Sequence, residues 1–371
     1  MKASFRPLSG FGLLHDCPMT TPIRLLICNW RYEGHSRAGG AEYWTQQVAE
    51  GLVKYGYEVT VLTARVRGRP SEEEIRNVKV IRKGGMFSLY WFAYRMLKRV
   101  HYQFDVVLDE VNTRPFFAAF HSTVPALTMF HQTAEEVWDL EAPFPLNVLG
   151  RRVLEKKWLR RYCQTEVLAL SESTAGALKR FGVTTSRVIE PGVEQRVDFV
   201  PKASDFTVCF VGRLVPSKRP DHAIEAFRQF RQKHPKSRLI VIGDGPMREQ
   251  LENGAVDGVK FVGYVSSAER DRLIATSHVL IATSVREGWG MIVTEASVVG
   301  TLSVAYDVDG LRDSIRATGG ILVKESPTSL ASALSSVYSD MSSLKPHAYT
   351  RTWETVCSEI DEEIERLLSR Q

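Results

Sequence analysis

Short apolar runs alternate with longer amphipathic segments from residue 23 onward, and this alternation restricts the chain to few folds. Strands are predicted at residues 23–28, 59–63, 78–81, 106–108, 127–130 and 167–170. The segments between them, such as residues 41–54, carry apolar residues at helical spacing. Strands that alternate with helices in this way form parallel sheets with helices on both faces. We therefore expect an α/β fold.

The pattern is interrupted near residues 191–205 and then begins again. Strands are predicted at residues 208–211, 239–242, 259–262, 279–282 and 302–305. A chain of 371 residues is long enough to bury two hydrophobic cores. We predict two Rossmann-like, doubly wound parallel-sheet domains facing a cleft, because ligands of such folds bind at the carboxyl ends of the strands.

The predicted domains are residues 19–195 and 202–345, followed by a C-terminal helix at residues 346–371. Apolar residues recur at helical spacing in this last segment, so we expect it to dock on the N-terminal domain. Residues 1–18 are expected to form a disordered extension. The sequence allows either Met1 or Met19 as the start of the protein.

The five cysteines are scattered and lack the spacing of a zinc or redox site. Neither a disulfide framework nor a bound metal is indicated, and a reducing, cytoplasmic location is expected. No apolar run approaches the roughly 18–20 residues that a membrane-spanning helix needs.

Positive charge is concentrated in the first half of the chain. Of 48 Lys and Arg residues, 27 precede residue 202, whereas only 21 of the 43 acidic residues do. One basic group lies in residues 65–99 and another in residues 151–161. Such groups suit phosphates, anionic lipid or nucleic acid, although a solvated face explains them more often. We expect no nucleic-acid partner, and peripheral contact with the cytoplasmic face of a membrane stays open.

Two glutamates, Glu287 and Glu295, lie eight residues apart where a predicted strand leads into a helix. Gly288 and Gly290 let the backbone of this turn approach a ligand closely. The amino end of the following helix favours a phosphate, and the carboxylates can accept hydrogen bonds from sugar hydroxyls. The alternative is a glycine-rich turn with two solvated glutamates.

A predicted strand ends at Gly212, and Arg213 and Lys218 follow it five residues apart. Arginine clamps phosphate oxygens with a fork of donors and lysine adds a point charge, so this pair can neutralise one diphosphate. Surface charge beside a proline-containing turn is the alternative.

Two further turns of the second half expose backbone at strand ends. They are Gly243-Asp244 and Gly263-Tyr264. Main-chain N–H and C=O groups in such turns can recognise a nucleobase, although each turn alone is more often structural.

The first half contributes Gly39 and Gly40, which open its first long helix, and His131, which ends a predicted strand. The glycines can bring backbone to a diphosphate, but the full GxGxxG pattern of a dinucleotide site is missing. A strand-end imidazole can donate to a sugar hydroxyl or stabilise charge, whereas a structural histidine is the alternative.

Taken in this order, these motifs resemble the retaining glycosyltransferases of group 1, family 4, which have the two-domain GT-B fold. The likeness is strongest over residues 206–315, which carry GR-x4-K, GDGP and E-x7-E, and it extends more loosely over residues 23–194. Trp289 stands where the family more often has Phe, and Asp313 where it more often has Glu.

The resemblance implies a nucleotide-diphosphate sugar as donor substrate, with no cofactor and no bound metal. His131, Arg213, Lys218 and Glu287 are the implied catalytic residues. The implied donor-binding residues are Gly39, Gly40, Gly212, Gly243, Asp244, Gly263, Tyr264, Gly288, Trp289, Gly290, Met291, Ile292 and Glu295.

We therefore expect a metal-independent glycosyltransferase of the hexosyltransferase type that moves a sugar from a UDP- or GDP-linked donor to an acceptor hydroxyl. An NDP-sugar epimerase on the same frame and a non-catalytic nucleotide-sugar-binding protein are the alternatives. The donor base and sugar, the acceptor and the oligomeric state stay open.

Overall fold

The fold is known from a computed structural model that describes residues 21–35, 39–194, 200–341 and 343–370. The predicted extension at residues 1–18 lies outside these ranges. Within them, the chain forms two sheets, one in each half, and no helix has the length and apolarity to cross a membrane.

The first half is built on an eight-stranded sheet with the order β3-β4-β2-β1-β5-β6-β7-β8. All neighbouring strands are parallel except β3, which runs antiparallel to β4. Its strands are β1 (Arg24–Cys28), β2 (Glu58–Thr63), β3 (Glu72–Ile75), β4 (Val78–Arg82), β5 (Val106–Val111), β6 (Ala126–Phe130), β7 (Val167–Ala169) and β8 (Thr185–Val188).

Helices cover both faces of this sheet. They are α1 (Gly40–Lys54), α2 (Ser88–Leu97), α3 (Ala118–His121), α4 (Val137–Glu141), α5 (Leu146–Leu149), α6 (Glu155–Arg160) and α7 (Glu172–Lys179). Successive strand residues point to opposite faces, so Leu25 and Ile27 of β1 pack in the cluster of α1, whereas Leu26 and Cys28 pack in that of α2. Helices α2 and α6 both lie on the second of these faces.

The second half is built on a six-stranded parallel sheet with the order β11-β10-β9-β12-β13-β14. Its strands are β9 (Thr207–Val211), β10 (Arg238–Ile242), β11 (Val259–Gly263), β12 (Val279–Ala282), β13 (Leu302–Tyr306) and β14 (Ile321–Val323). Its helices are α8 (Pro220–Arg231), α9 (Arg248–Asn253), α10 (Ser267–Thr276), α11 (Met291–Val298), α12 (Leu311–Thr318) and α13 (Pro327–Ser339).

The last helix, α14 (Trp353–Leu368), lies against α1 in the first half. Trp353 and Ile360 are buried in the cluster that contains α1. Tyr57 donates a hydrogen bond to Asp361 at 2.5 Å. A Cβ atom at Gly51 would lie 2.1 Å from the Cys357 sulfur, so only glycine lets the two helices approach this closely.

The predicted parallel strands are present in both halves, but β3, β8 and β14 were not predicted. Strand β3 reads Glu-Glu-Glu-Ile and lies exposed at the sheet edge, so it contains no apolar run that would signal it. The second basic group of the sequence, residues 151–161, lies in a π-helical turn (Gly150–Leu154), in α6 and in the 3-10 turn that follows (Arg161–Gln164).

Candidate functional site

The carboxyl ends of the two sheets face each other, and glycines mark where the walls meet. A Cβ atom at Gly288 would lie 2.5 Å from the carbonyl oxygen of His131. A Cβ atom at Gly40 would lie 2.9 Å from the methyl carbon of Met291. Four residues predicted to belong to one site, two from each half, are therefore in direct contact across the cleft.

Three turns of the second half stack at the ends of β9, β10 and β11. Leu214 N–H donates to Asp244 at 2.9 Å, and Gly243 N–H donates to Gly263 at 2.9 Å. Gly243 has a φ of +131°, and a Cβ atom there would lie 2.0 Å from the Gly212 carbonyl oxygen. Only glycine fits, so the turns present backbone to the cleft. Tyr264 is 89% exposed at their edge.

Lys218 ends a short 3-10 turn (Pro216–Lys218), and its ammonium group donates to the Glu287 carboxylate. Glu287 also accepts from Ser284 Oγ at 2.6 Å. The loop of Glu287 continues to Gly290, the N-cap of α11, so Lys218 lies beside the loop that leads into this helix.

Arg213 is held from the opposite wall. Its guanidinium lies 3.6 Å from a carboxylate oxygen of Glu141, at the end of α4. The same carboxylate accepts a hydrogen bond from Ser217, the residue before Lys218. Both predicted phosphate-binding cations therefore face carboxylates, one from each half of the chain.

His131 is 2% exposed and lies at the end of β6. Its Nε2 is 3.1 Å from Oε2 of Glu110, which also accepts from Thr45 at 2.5 Å and from Asn29 at 2.9 Å. The ring of Trp44 packs edge-on against the imidazole. When Nε2–H donates to the Glu110 carboxylate, Nδ1 is the ring nitrogen that is left for another partner. Nδ1 has no hydrogen-bond partner in the described part of the chain.

Glu110, Thr45 and Asn29 were not predicted as site residues. The sequence does contain a signal for Glu110, because Asp109 and Glu110 interrupt an otherwise apolar strand near its carboxyl end. Ligands bind at the carboxyl ends of the strands in parallel sheets, so a polar residue there is a candidate for the site.

Arg286 is another residue of the site that the sequence analysis did not predict. Its side chain is 9% exposed. The guanidinium nitrogens lie 2.6 Å from a carboxylate oxygen of Asp309, 3.0 Å from one of Glu136 and 3.5 Å from one of Glu135. Burial opposes its charge, but these three carboxylates hold the pKa of the guanidinium above its ordinary value. Because the two glutamates belong to the first half and Asp309 to the second, Arg286 ties the halves together beside the cleft.

Glu295 lies on α11, eight residues after Glu287 in the chain. Its carboxylate is 3.5 Å from Arg270, and both residues line a small pocket with Tyr43 and Glu194 between α1, α10 and α11. The pocket therefore combines residues from both halves.

The remaining predicted residues differ in what they present. The Trp289 side chain is 1% exposed and packs in the first-half core near Tyr349, so only its backbone is available to a ligand. Gly39 N–H donates to the Glu42 carboxylate at 2.6 Å, which fixes the start of α1. Asp244 pairs with Arg248 at 3.2 Å. Within residues 21–35, 39–194, 200–341 and 343–370, no group of three acidic, His or Cys side chains could hold a metal ion.

Two family models match the chain in succession. Residues 38–196 match the model described as Glycosyltransferase Family 4, and residues 194–351 match the model described as Glycosyl transferases group 1.

Among curated proteins, an uncharacterized glycosyltransferase of Methanocaldococcus jannaschii is 23% identical over 91% of this chain and 96% of its own length. A 2-deoxystreptamine glucosyltransferase of Streptomyces kanamyceticus is 31% identical, but the match spans only 31% of each protein.

Solved structures share the whole fold. Sucrose-phosphate synthase of Thermosynechococcus elongatus superposes with a TM-score of 0.75 at 19% identity, covering 94% of this chain and 100% of that one. Anabaena HepE, solved in complex with UDP and glucose, superposes with a TM-score of 0.67 at 18% identity, covering 93% and 100%. At such identities these structures establish the fold.

Proposed function

Because this chain belongs to the group 1 glycosyltransferases and has the GT-B fold, we propose that it transfers a hexosyl unit from a UDP- or GDP-linked sugar to an acceptor hydroxyl with retention of configuration. The observation that carries the proposal is the meeting of the two walls, where Gly288 packs on His131 and Gly40 on Met291. In this arrangement the domain of residues 19–195 takes the acceptor and that of residues 202–345 holds the donor.

The donor diphosphate takes the place of two carboxylates. Arg213 leaves Glu141 and binds one phosphate, and Lys218 leaves Glu287 and binds the other. The backbone N–H groups at the start of α11 also donate to the diphosphate. These groups absorb the negative charge that develops on the leaving diphosphate, which is where electrostatic catalysis is most effective. They supply the neutralisation that a divalent cation gives in other enzymes, so the proposal requires no cofactor.

Around the sugar, the proposal uses side chains from both walls. Glu287, once released by Lys218, and the backbone from Gly288 to Ile292 bind the hydroxyl groups of the donor sugar. His131 lies beside the reacting carbon, and Glu110 fixes its ring orientation. Glu295 binds the ribose, and the backbone turns at Gly212, Gly243 and Gly263 face the nucleobase.

The reaction is a front-face substitution. The bond between the anomeric carbon and the phosphate oxygen breaks while the acceptor oxygen forms a new bond to the same carbon. The acceptor proton passes to the departing phosphate, so atoms and charges balance without a protein nucleophile. Closure of the two domains excludes water that would otherwise hydrolyse the donor.

The donor site is tested with Lys218→Ala and Glu295→Ala, measured by calorimetry against UDP-glucose and GDP-mannose and by release of the nucleoside diphosphate. We expect about 10- to 100-fold weaker binding of the preferred donor, because each variant loses a hydrogen bond that involves a charged group. Lys233→Ala is the matched control, since Lys233 is an exposed lysine of the same half. Unchanged binding in both site variants would reject the assignment.

A donor incubated without acceptor separates the alternatives. A transferase releases the nucleoside diphosphate slowly and leaves the remaining sugar nucleotide unaltered. Conversion of the donor into an epimeric sugar nucleotide would identify an epimerase, and binding without any turnover in the presence of acceptor extracts would identify a non-catalytic binding protein.

A further inference from the structure

Helix α2 is apolar on both of its sides. Leu89, Ala93 and Leu97 face inward and are fully buried. On the outer side, Phe87 is 68% exposed and Trp91 is 53% exposed. Met86, Phe92 and Tyr94 are exposed beside them. Contiguous exposed apolar side chains of this size mark an interaction surface rather than ordinary protein exterior.

The charge on α2 and just after it has one sign. Residues 84–104 include three basic residues and no Asp or Glu, whereas the four basic residues before them, Arg76, Lys79, Arg82 and Lys83, pair with glutamates. Arg95 lies over the Trp91 ring at 4.9 Å and Lys98 over the Tyr94 ring at 5.8 Å. Arg95, Lys98 and Arg99 make no ion pair with any residue that the structure describes, so their charge is directed to solvent.

A second group with the same character follows α4. Leu149 and Val153 are about half exposed, at 47% and 50%. Four exposed basic residues without ion pairs among the described residues accompany them, namely Arg152, Lys156, Lys157 and Arg160. The only acidic residue from 142 to 165 is Glu155, whose carboxylate is buried and accepts backbone N–H groups.

The two groups form one face, because α2 and α6 cover the same side of the eight-stranded sheet. Arg114 joins them: its guanidinium lies 4.1 Å from the ring centre of Tyr90 on α2 and 5.9 Å from that of Trp158 on α6. We call this surface the α2–α6 face.

We propose that the α2–α6 face docks on a membrane surface that carries anionic lipids. Trp, Tyr and Phe beside Lys and Arg are the side chains that the lipid–water interface favours, because their apolar bodies insert while their polar ends stay hydrated. Exposed aliphatic side chains such as Met86, Leu149 and Val153 suit acyl chains and offer nothing to stacked bases. A second copy of the chain would bring like charges together.

The face borders the mouth of the cleft. Glu141, which contacts Arg213 and Ser217, is three residues from Phe144, which is 83% exposed at the start of the second group. Docking therefore holds the opening between the two halves at the lipid boundary. The inference concerns where the protein is held and does not depend on the reaction proposed above.

The test is flotation of the full chain with vesicles of pure phosphatidylcholine and with vesicles that also contain phosphatidylglycerol. We expect binding to the anionic vesicles alone, weakened by added salt. Lys98→Gln with Arg99→Gln should lower the partition coefficient by on the order of tenfold or more, because each basic residue near such a surface contributes about a fivefold factor. Phe87→Ser with Trp91→Ser should lower it about tenfold through lost apolar insertion.

Lys233→Gln with Lys236→Gln removes the same charge from exposed positions of the second half and should change partitioning less than twofold. All these side chains are exposed, so the melting temperatures of the variants should match the parent. The proposal is overturned if the chain ignores anionic vesicles or if the second-half control loses as much binding as the α2 variants. It also fails if the chain binds single-stranded DNA but not anionic vesicles, or if sedimentation shows a dimer that Trp91→Ser dissociates.

Discussion

The wall of the cleft formed by the second sheet presents backbone, whereas the wall formed by the first sheet presents buried side chains. At the second wall, a Cβ atom at Gly243 or at Gly310 would clash with a carbonyl oxygen. At the first wall, Glu110 gathers hydrogen bonds from Asn29, Thr45 and His131 in a site with almost no exposure. One wall depends on main-chain geometry and the other on a polar network.

Because of this difference, we expect the two walls to respond differently to substitutions. A backbone wall has no room for an added atom, because the carbonyl that the atom would contact can move only if its whole turn moves. A network of side chains tolerates small changes of shape but not the loss of a partner, because each buried polar group then remains unsatisfied.

Gly310→Ala is the substitution that we expect to disturb the backbone wall most. Gly310 has a φ of +80°, and a Cβ atom there would lie 2.2 Å from the Glu287 carbonyl oxygen. Moving Glu287 by about 1 Å should lower the rate of nucleoside diphosphate release at least 100-fold. The control is Gly300→Ala, which has a similar φ of +69° but open space around it. Its positive φ also strains an alanine, so it should lose stability and keep its rate. Equal rates in the two variants would contradict the comparison.

A pH titration probes the cost of burying carboxylates in the first wall. Burial raises the pKa of Asp109 to about 6, although backbone N–H groups of Ala118 and Phe116 favour its charge. A raised pKa means that its contribution to stability is full below the unfolded value near 4 and is lost as the pH rises through 6. Relative to the parent, Asp109→Asn should therefore gain up to about 3 kcal/mol in unfolding free energy between pH 4 and pH 7. Urea unfolding at four pH values measures this, and a pH-independent difference would refute it.

Glu110→Gln tests whether the polar network positions His131. We expect a 10- to 100-fold lower turnover rate with little change in donor affinity, by analogy with the loss of a partner that orients a metal-ligating histidine. The double variant Glu110→Gln with His131→Ala should be no slower than His131→Ala alone, because Glu110 acts through the ring. Additive losses would mean that Glu110 has another role.

Glu141→Gln tests whether a carboxylate from the first half competes with the donor diphosphate for Arg213. Removing its charge frees Arg213 for a phosphate, so UDP should bind about two- to fivefold more tightly, the value of a partly exposed ion pair. Asp139→Asn on the same helix is the control, because Asp139 pairs with Arg151 and not with Arg213. Weaker UDP binding by Glu141→Gln would show that Glu141 does not compete with the diphosphate.

Much of the fold and the family could be read from the sequence. The predicted GT-B fold and the membership of group 1 are confirmed. The fold was predictable because short apolar runs and amphipathic segments show which residues are buried, and the family because its motifs lie in the right order. Edge strand β3 could not be read, because an exposed acidic strand owes its place to pairing with β4 rather than to burial. The assignments of individual donor-site residues stay predictions.

The glycines of the second wall were visible in the sequence because a position without room for Cβ excludes every other residue. Glycine therefore marks the local geometry of the turns before they fold. By itself the sequence determined two parallel sheets, the turns that end their strands and the excess of positive charge in the first half.

Only the tertiary structure decided which carboxylate meets which cation. The pairing of Arg213 with Glu141, the three acidic partners of Arg286 and the bond from His131 to Glu110 join residues far apart in the chain. It also decided that α2 and α6 share one face. Contacts of this kind depend on the packing of whole sheets and helices, because no local pattern in a chain specifies which distant side chains its folding brings together.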